Sequence, residues 1–141
     1  MVDLLPGIQS STAALAAEHT RLDVIAENIA NANTTRGPDG KPYQRQVVVF
    51  ESALQQAQKA GEGHLPTLQV ASIEKDPRPP VLVYEPGHPD ADASGMVAMP
   101  NINIHEEMAD MISASRTFEA NLAVIKNSRA MALQALSIMK H

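Results

Sequence analysis

Hydrophobic positions at both ends of the chain recur with a seven-residue period. Near the N-terminus Ile8, Leu15, Leu22 and Ile29 fall seven residues apart, and Ile25 and Ala32 fill the second position of the same heptad. Ser11 and Glu18 occupy that second position earlier, so this seam is imperfect. The C-terminal pattern is longer. From Ile104, alternating steps of four and three reach Met108, Met111, Ser115, Phe118, Leu122, Ile125, Arg129, Ala132, Leu136 and Met139, and only Ser115 and Arg129 interrupt the apolar row. A row this narrow predicts a coiled-coil seam rather than the broad stripe of a helix lying on a globule. Asn103 is placed to cap this helix, with Glu106 three residues on completing a capping box. Glu106, Glu107 and Asp110 crowd the first turns and read as first-turn charges. Lys126, Arg129 and Lys140 come later, an order that complements the helix dipole.

Between the two periodic ends the pattern changes. Nine of the ten prolines lie from Pro38 to Pro100 and six of the seven glycines from Gly37 to Gly95, so the stretches 8–36 and 101–141 are free of helix breakers. The middle reads as short strands over Tyr43 to Phe50, Leu68 to Ile73 and Val81 to Tyr84. Pro77-Arg78-Pro79-Pro80 excludes a tight hairpin between the last two, and Gly37-Pro38-Asp39-Gly40 signals a turn. Gln55 to Gly63 is polar and expected to be exposed or mobile. The fold class expected is α+β: long N- and C-terminal helices paired as an α-helical coiled-coil hairpin, with a small irregular β-rich middle domain. The expected division is 1–35 with 101–141 as the terminal coiled-coil core, and 36–100 as the middle domain.

Composition sharpens this. At 141 residues the chain is one domain in size, and with aromatics at 3% its core must be aliphatic. The absence of cysteine removes disulfides, thiolate metal sites and a cysteine nucleophile. A formal net charge of −5 argues against a nucleic-acid binder. No apolar run approaches the ~18 to 20 residues of a membrane span. The first residues carry no basic region followed by a long apolar one, so no cleaved secretory leader is expected.

Candidate chemistry is thin. His88, Asp90, Asp92, His105, Glu106 and Glu107 could suggest a metal site, but their spacing matches neither a zinc motif nor an EF-hand, and a structural loop is the better reading. Ser10, Ser11, Thr12 and Ser113 have no adjacent histidine held by a carboxylate, and His19 stands alone on a helix. No catalytic residue, metal ligand or cofactor is expected. The methionines from Met96 onward are adaptable packing material, for a core or for an interface. The long C-terminal seam lacks an equal partner within the chain, which points to an assembly subunit whose apolar rows are covered by other chains.

One segment is more specific. Ala26-Glu27-Asn28-Ile29-Ala30-Asn31-Ala32-Asn33-Thr34-Thr35 resembles the signature of the bacterial flagellar rod and hook axial proteins. Gly37-Pro38-Asp39-Gly40-Lys41-Pro42-Tyr43, Tyr84-Glu85-Pro86-Gly87-His88-Pro89-Asp90-Ala91-Asp92, Met99-Pro100-Asn101-Ile102-Asn103 and Ser113-Ala114-Ser115-Arg116-Thr117-Phe118-Glu119-Ala120-Asn121 narrow the resemblance to the proximal rod branch. Met96 departs from it, standing where that family usually has Tyr. The resemblance implies a structural subunit of the flagellar basal body, exported through the flagellar type III apparatus without a cleaved leader and polymerised in the periplasm into a helical tube. The tube would transmit torque and enclose the export channel. Partners implied are copies of itself, other proximal and distal rod proteins and the base of the membrane-embedded ring.

On this reading the assembly interface comprises Ile8, Leu15, Leu22, Ile25, Asn28, Ile29 and Asn31 of the first helix. From the second come Met108, Met111, Ser115, Phe118, Leu122, Ile125, Arg129, Leu136 and Met139. The family signature rests on Ala26, Asn28, Ile29, Ala30, Asn31, Asn33 and Thr34. Asn28 and Asn31 either specify register in an interface or end the helix. The competing function is a cytosolic helical adapter or export chaperone for secreted clients, which leaves the strand motifs without a role.

Overall fold

The structure, a computed structural model, describes residues 5–52 and 68–138. Helix α1 runs Leu5–Ala30 and helix α2 runs Ile104–Ile138, so each breaker-free stretch holds one helix, α1 starting earlier with Pro6 and Gly7 in its first turn and ending six residues short of 36. Between them lie four strands, β1 (Gln46–Ser52), β2 (Leu68–Lys75), β3 (Val81–Tyr84) and β4 (Met96–Met99). The chain is therefore α+β, with terminal helices around a small strand region. The expected exposed segment Gln55 to Gly63 and the interface residue Met139 lie outside the described residues.

The strands form two separate antiparallel pairs, β1 with β2 and β3 with β4. In the first, Gln46 faces Lys75 and Ser52 faces Leu68, with a register shift at Val49/Phe50. In the second, Val81 faces Met99 and Tyr84 faces Met96. The Pro77–Pro80 run separates the two sheets rather than linking paired strands. Strand β4 has no counterpart in the sequence reading, because Met-Val-Ala-Met carries one β-branched residue and no polar alternation. Gly95 makes that pairing possible: at φ +79° it closes the turn from Asp92, and a Cβ there would sit 2.9 Å from the Tyr84 ring. Asp92 completes the turn. Its Oδ1 accepts from the Ser94 hydroxyl at 2.6 Å and from the Met96 and Ser94 amides, which together lower its pKa.

Asn103 caps helix α2, but the expected capping box does not form: Glu106 bonds the Asn103 side chain, not its main-chain amide. Asn103 Oδ1 accepts from the His105 amide at 3.1 Å, and Asn103 Nδ2 donates to Glu106 Oε1 at 3.2 Å. Helix α1 packs against α2 and touches β1 and β2. The described core is small: Ala17, Val24 and Ile25 of α1, Ala32 in the turn after it, Val97 of β4 and Ala114 of α2. Three polar residues, Glu18, Asn28 and Glu107, are buried with it.

Candidate functional site

The end of α1 turns back on itself. Asn31 Nδ2 donates to the Glu27 carbonyl, and its Oδ1 accepts from the Thr34 hydroxyl, so Asn31 closes the last turn of the helix. The Thr34 carbonyl accepts from the Tyr43 amide at 3.0 Å, and Gly40, at φ +73°, closes the loop between them. This loop delivers Tyr43, Arg45 and Gln46 beside Asn28.

Asn28 is 1% exposed and uses its whole amide within the chain. Its Oδ1 accepts from the Gln46 amide at 2.9 Å and the Tyr43 hydroxyl at 3.0 Å. Its Nδ2 donates to the Gln46 carbonyl at 2.9 Å and to Glu107 Oε2 at 3.1 Å. Two donors and two acceptor sites are the full inventory of a carboxamide, so it has nothing left to offer a neighbour. Burial and the charge of Glu27 raise the Tyr43 pKa, which keeps its hydroxyl proton in place to donate.

Glu107, also 1% exposed, binds this amide with one oxygen and Arg45 with the other, Arg45 Nε donating to Oε1 at 2.6 Å. Arg45 continues to Asp76 Oδ2 at 3.4 Å, and its own carbonyl accepts from the Asp76 amide at 2.8 Å. Arg78 then donates to both Asp76 oxygens at 2.7–3.1 Å, and these bonds hold the Asp76 carboxyl down at about 2. On the other side, Asp110 lies 3.9 Å from Arg45 and 3.7 Å from Arg21, and Arg21 lies 3.8 Å from Glu18. Glu18 Oε2 is buried and makes no hydrogen bond among the described residues. One polar clasp thus fastens the end of α1, the start of α2 and the adjoining ends of β1 and β2. Its parts are far apart in sequence, 79 residues between Asn28 and Glu107 and 62 between Arg45 and Glu107.

The expected interface residues divide. Ile25 and Asn28 are buried; Ile8, Leu15, Leu22, Ile29 and Asn31 are half-buried. On α2, Met111, Ser115, Phe118, Leu122 and Ile125 are half-buried, whereas Met108, Arg129 and Leu136 are exposed. Of the signature residues outside this set, Ala26, Ala30 and Asn33 are exposed and Thr34 is half-buried. The shielded stripe of α2 runs Glu107, Met111, Ala114, Phe118, Asn121, Ile125, Ser128, Ala132. It shares the row 111/118/125/132 with the sequence-derived seam, but its second row is 107/114/121/128 in place of 108/115/122/129. The more shielded second row is small or polar; in the row next to it Ser115 and Leu122 are half-buried and Met108, Arg129 and Leu136 are exposed. On α1 the row containing Ser11 and Glu18, which looked like the flaw in the seam, contains the buried positions Glu18, Ile25 and Ala32.

By sequence alone Glu107 is a first-turn charge. It does lie in the first turn, but it is buried at the centre of the clasp, and Arg45, Asp76 and Tyr43 went unnoticed with it. The other metal-site candidates serve separate bonds. Asp90 accepts from Thr35 at 2.8 Å and pairs with Arg36 at 3.6 Å, while His88 Nδ1 accepts from the Asp90 amide. Among the described residues no three His, Asp or Glu converge on a metal position.

Comparison with known proteins gives two family matches. Residues 8–38 match the family described as "Flagella basal body rod protein", and residues 93–138 match "Flagellar basal body rod FlgEFG protein C-terminal". The chain is 43% identical to "Flagellar basal-body rod protein FlgC" of Borreliella burgdorferi, over 97% of this chain and 98% of the relative. It is 43% identical to the protein of that name in Salmonella typhimurium, covering 89% and 90%. To that of Bacillus subtilis it is 35% identical, covering 92% and 94%.

Proposed function

The chain belongs to the FlgC family of flagellar basal-body rod proteins, and from that premise we propose how it assembles. It is a structural subunit of the basal-body rod, not an enzyme, and its partners are other rod proteins. Its terminal helices pair as a coiled-coil hairpin, residues 1–35 with 101–141, and 36–100 form a separate middle domain. Polymerisation runs through the terminal helices into a helical tube that transmits torque and encloses the export channel. The subunit reaches the periplasm through the flagellar type III export apparatus. It contacts copies of itself, proximal and distal rod proteins and the base of the membrane-embedded ring.

One observation supports this above the rest. The helix pair leaves much of its own apolar surface uncovered, with Met131, Leu133, Leu136 and Ile138 each 55–72% exposed on a 35-residue helix. Leaving several such side chains in water forgoes roughly 1.5 to 3 kcal/mol each, which a neighbouring chain recovers. A helical assembly uses non-closing interfaces between unlike surfaces, and a long helix with unlike sides supplies them.

Basal bodies extracted in detergent from cells carrying Leu122→Asp test this. The wild-type chain is expected in the rod fraction and the variant in the soluble fraction. Equal recovery of both in basal bodies contradicts assembly through α2.

A further inference from the structure

Beside the clasp the charges loosen around a cavity. It measures about 320 Å³ and lies between α1, β1 and the start of α2. Val24, Ile25, Val48 and Phe50 give it an apolar wall, and Arg21, Arg45 and Asp110 stand at its charged side. Asp110 is the loosest member. Its side chain is 47% exposed, and Arg21 and Arg45 lie 3.7 and 3.9 Å from it, beyond hydrogen-bond length. Glu18, one contact further on, has a side chain 7% exposed and 3.8 Å from Arg21, and its Oε2 has no hydrogen-bond partner among the described residues. Followed from end to end, four carboxylates, Glu18, Asp110, Glu107 and Asp76, meet three guanidiniums, Arg21, Arg45 and Arg78. The network thus carries one uncompensated negative charge, and the one half-exposed carboxylate in it faces the cavity.

We propose that Asp110 receives the ammonium group of a lysine from another subunit of the assembly, with the lysine's aliphatic stem lying along Val24, Ile25, Val48 and Phe50. This rests on the reading of the chain as a subunit that assembles. The uncompensated charge selects a cation. The apolar wall selects one carried on a hydrocarbon stem, since a long basic side chain buries its methylenes while its head stays at a polar group. A bare metal ion fits poorly: two guanidiniums flank the carboxylate, and among the described residues no three His, Asp or Glu converge. The volume is at the low end for ligand pockets, which begin at about 300 Å³, so it takes a single side chain rather than a folded segment. Lysine suits it better than arginine. A compact ammonium fits beside two guanidiniums already in place, whereas a third planar fork needs room for its own paired bonds. The guest also completes the chain's own pairing. With an ammonium on Asp110, Arg21 is free to turn to Glu18, and a small shift of its side chain closes the 3.8 Å gap to the buried oxygen.

A zero-length carbodiimide, which joins a carboxylate to an amine only where the two touch, tests this on extracted basal bodies. In species heavier than one subunit, mass spectrometry is expected to find the Asp110 peptide joined to a lysine peptide, and Asp110→Asn to lose that adduct alone. An Asp110 peptide recovered without a lysine adduct, or joined to lysine only in species of single-subunit mass, overturns the proposal. A chain missing from the basal bodies overturns the assembly reading instead. As a second measurement, the isolated chain is titrated with Nα-acetyl-lysine methylamide and with its neutral norleucine counterpart, and the Nε–H signals of Arg21 and Arg45 are followed by NMR. The lysine probe is expected to shift them saturably, with an affinity about fivefold weaker in Asp110→Asn, and the norleucine probe to leave them in place. Equal responses to the two probes, or an Asp110→Asn response equal to that of wild type, overturn the proposal.

Discussion

The two ends of the helix pair solve opposite problems. Where α1 finishes and α2 begins, every polar group of Asn28 is satisfied and Glu107 is shared between an amide and a guanidinium. The intervening chain is fastened there by Arg45 and Asp76. Toward the end of α2, apolar side chains stand exposed on two sides and polar bonding is sparse. The first end is finished within one chain; at the second the chain leaves its apolar surface uncovered, and on the proposed reading its neighbours complete it. Folding specificity and assembly surface are thus separated along a rod of roughly 50 Å, taking about 1.5 Å per residue.

This separation can be broken from either end. The largest effect is expected from Glu107→Ala. It leaves one proton of the Asn28 amide unpaired where position 107 is 1% exposed and takes from Arg45 its shortest bond, leaving it Asp76 and Asp110; the expected loss is about 3 kcal/mol, the low end for one partner of a buried pair. Denaturant unfolding of the isolated chain checks it. Asn28→Ala comes next. It leaves the Gln46 main chain and a Glu107 oxygen without their partner, for an expected loss of about 1 to 3 kcal/mol. A loss below half a kilocalorie in either variant, about the scatter of neutral surface changes, would remove the clasp from the account.

The acid response follows from Asp76. Its folded pKa of about 2 lies below the ordinary 3.8, so its bonds to Arg78 favour the folded state above pH 4. That contribution is lost as pH falls through about 2. Asp76→Asn is expected to flatten the stability profile between those pH values and leave its slope near neutrality unchanged. An unaltered acid profile would show that the bridge contributes nothing to folding. The smallest effect on folding is expected at the other end. Leu136→Gln should shift the unfolding midpoint of the isolated subunit by less than about 0.5 kcal/mol equivalent, yet reduce its recovery in basal bodies. A large stability loss would mean that Leu136 is covered within the chain.

The helices were legible because heptad spacing and absent breakers are local signals. The strands from Leu68 and Val81 were legible from short β-branched runs between prolines. The choice of α2 row was not. A hydrophobic count selects Met108, Leu122 and Leu136 over Glu107, Asn121 and Ser128. Yet the positions α2 buries are Glu107 and Ala114, while Met108 and Leu136 stay exposed. A subunit that assembles has no reason to bury its most apolar row in itself. Glu107 was illegible for a different reason. Its partners Asn28 and Arg45 lie 79 and 62 residues away, and nothing local separates a solvated first-turn carboxylate from a buried one. The family signature around Asn28 marked the right place, but its chemistry depends on Tyr43, Gln46 and Glu107 arriving there.

Hydrogen exchange on the isolated subunit and on basal bodies tests the contrast most directly. In the isolated chain, amides of 24–28 and 107–114 are expected to exchange slowest, and those of 124–138 at least about tenfold faster, as in segments with few buried contacts. In basal bodies the second group should become as protected as the first. Uniform protection along α2 in the isolated chain, or fast exchange at 124–138 in the assembled rod, would contradict a subunit locked at one end and completed by its neighbours at the other.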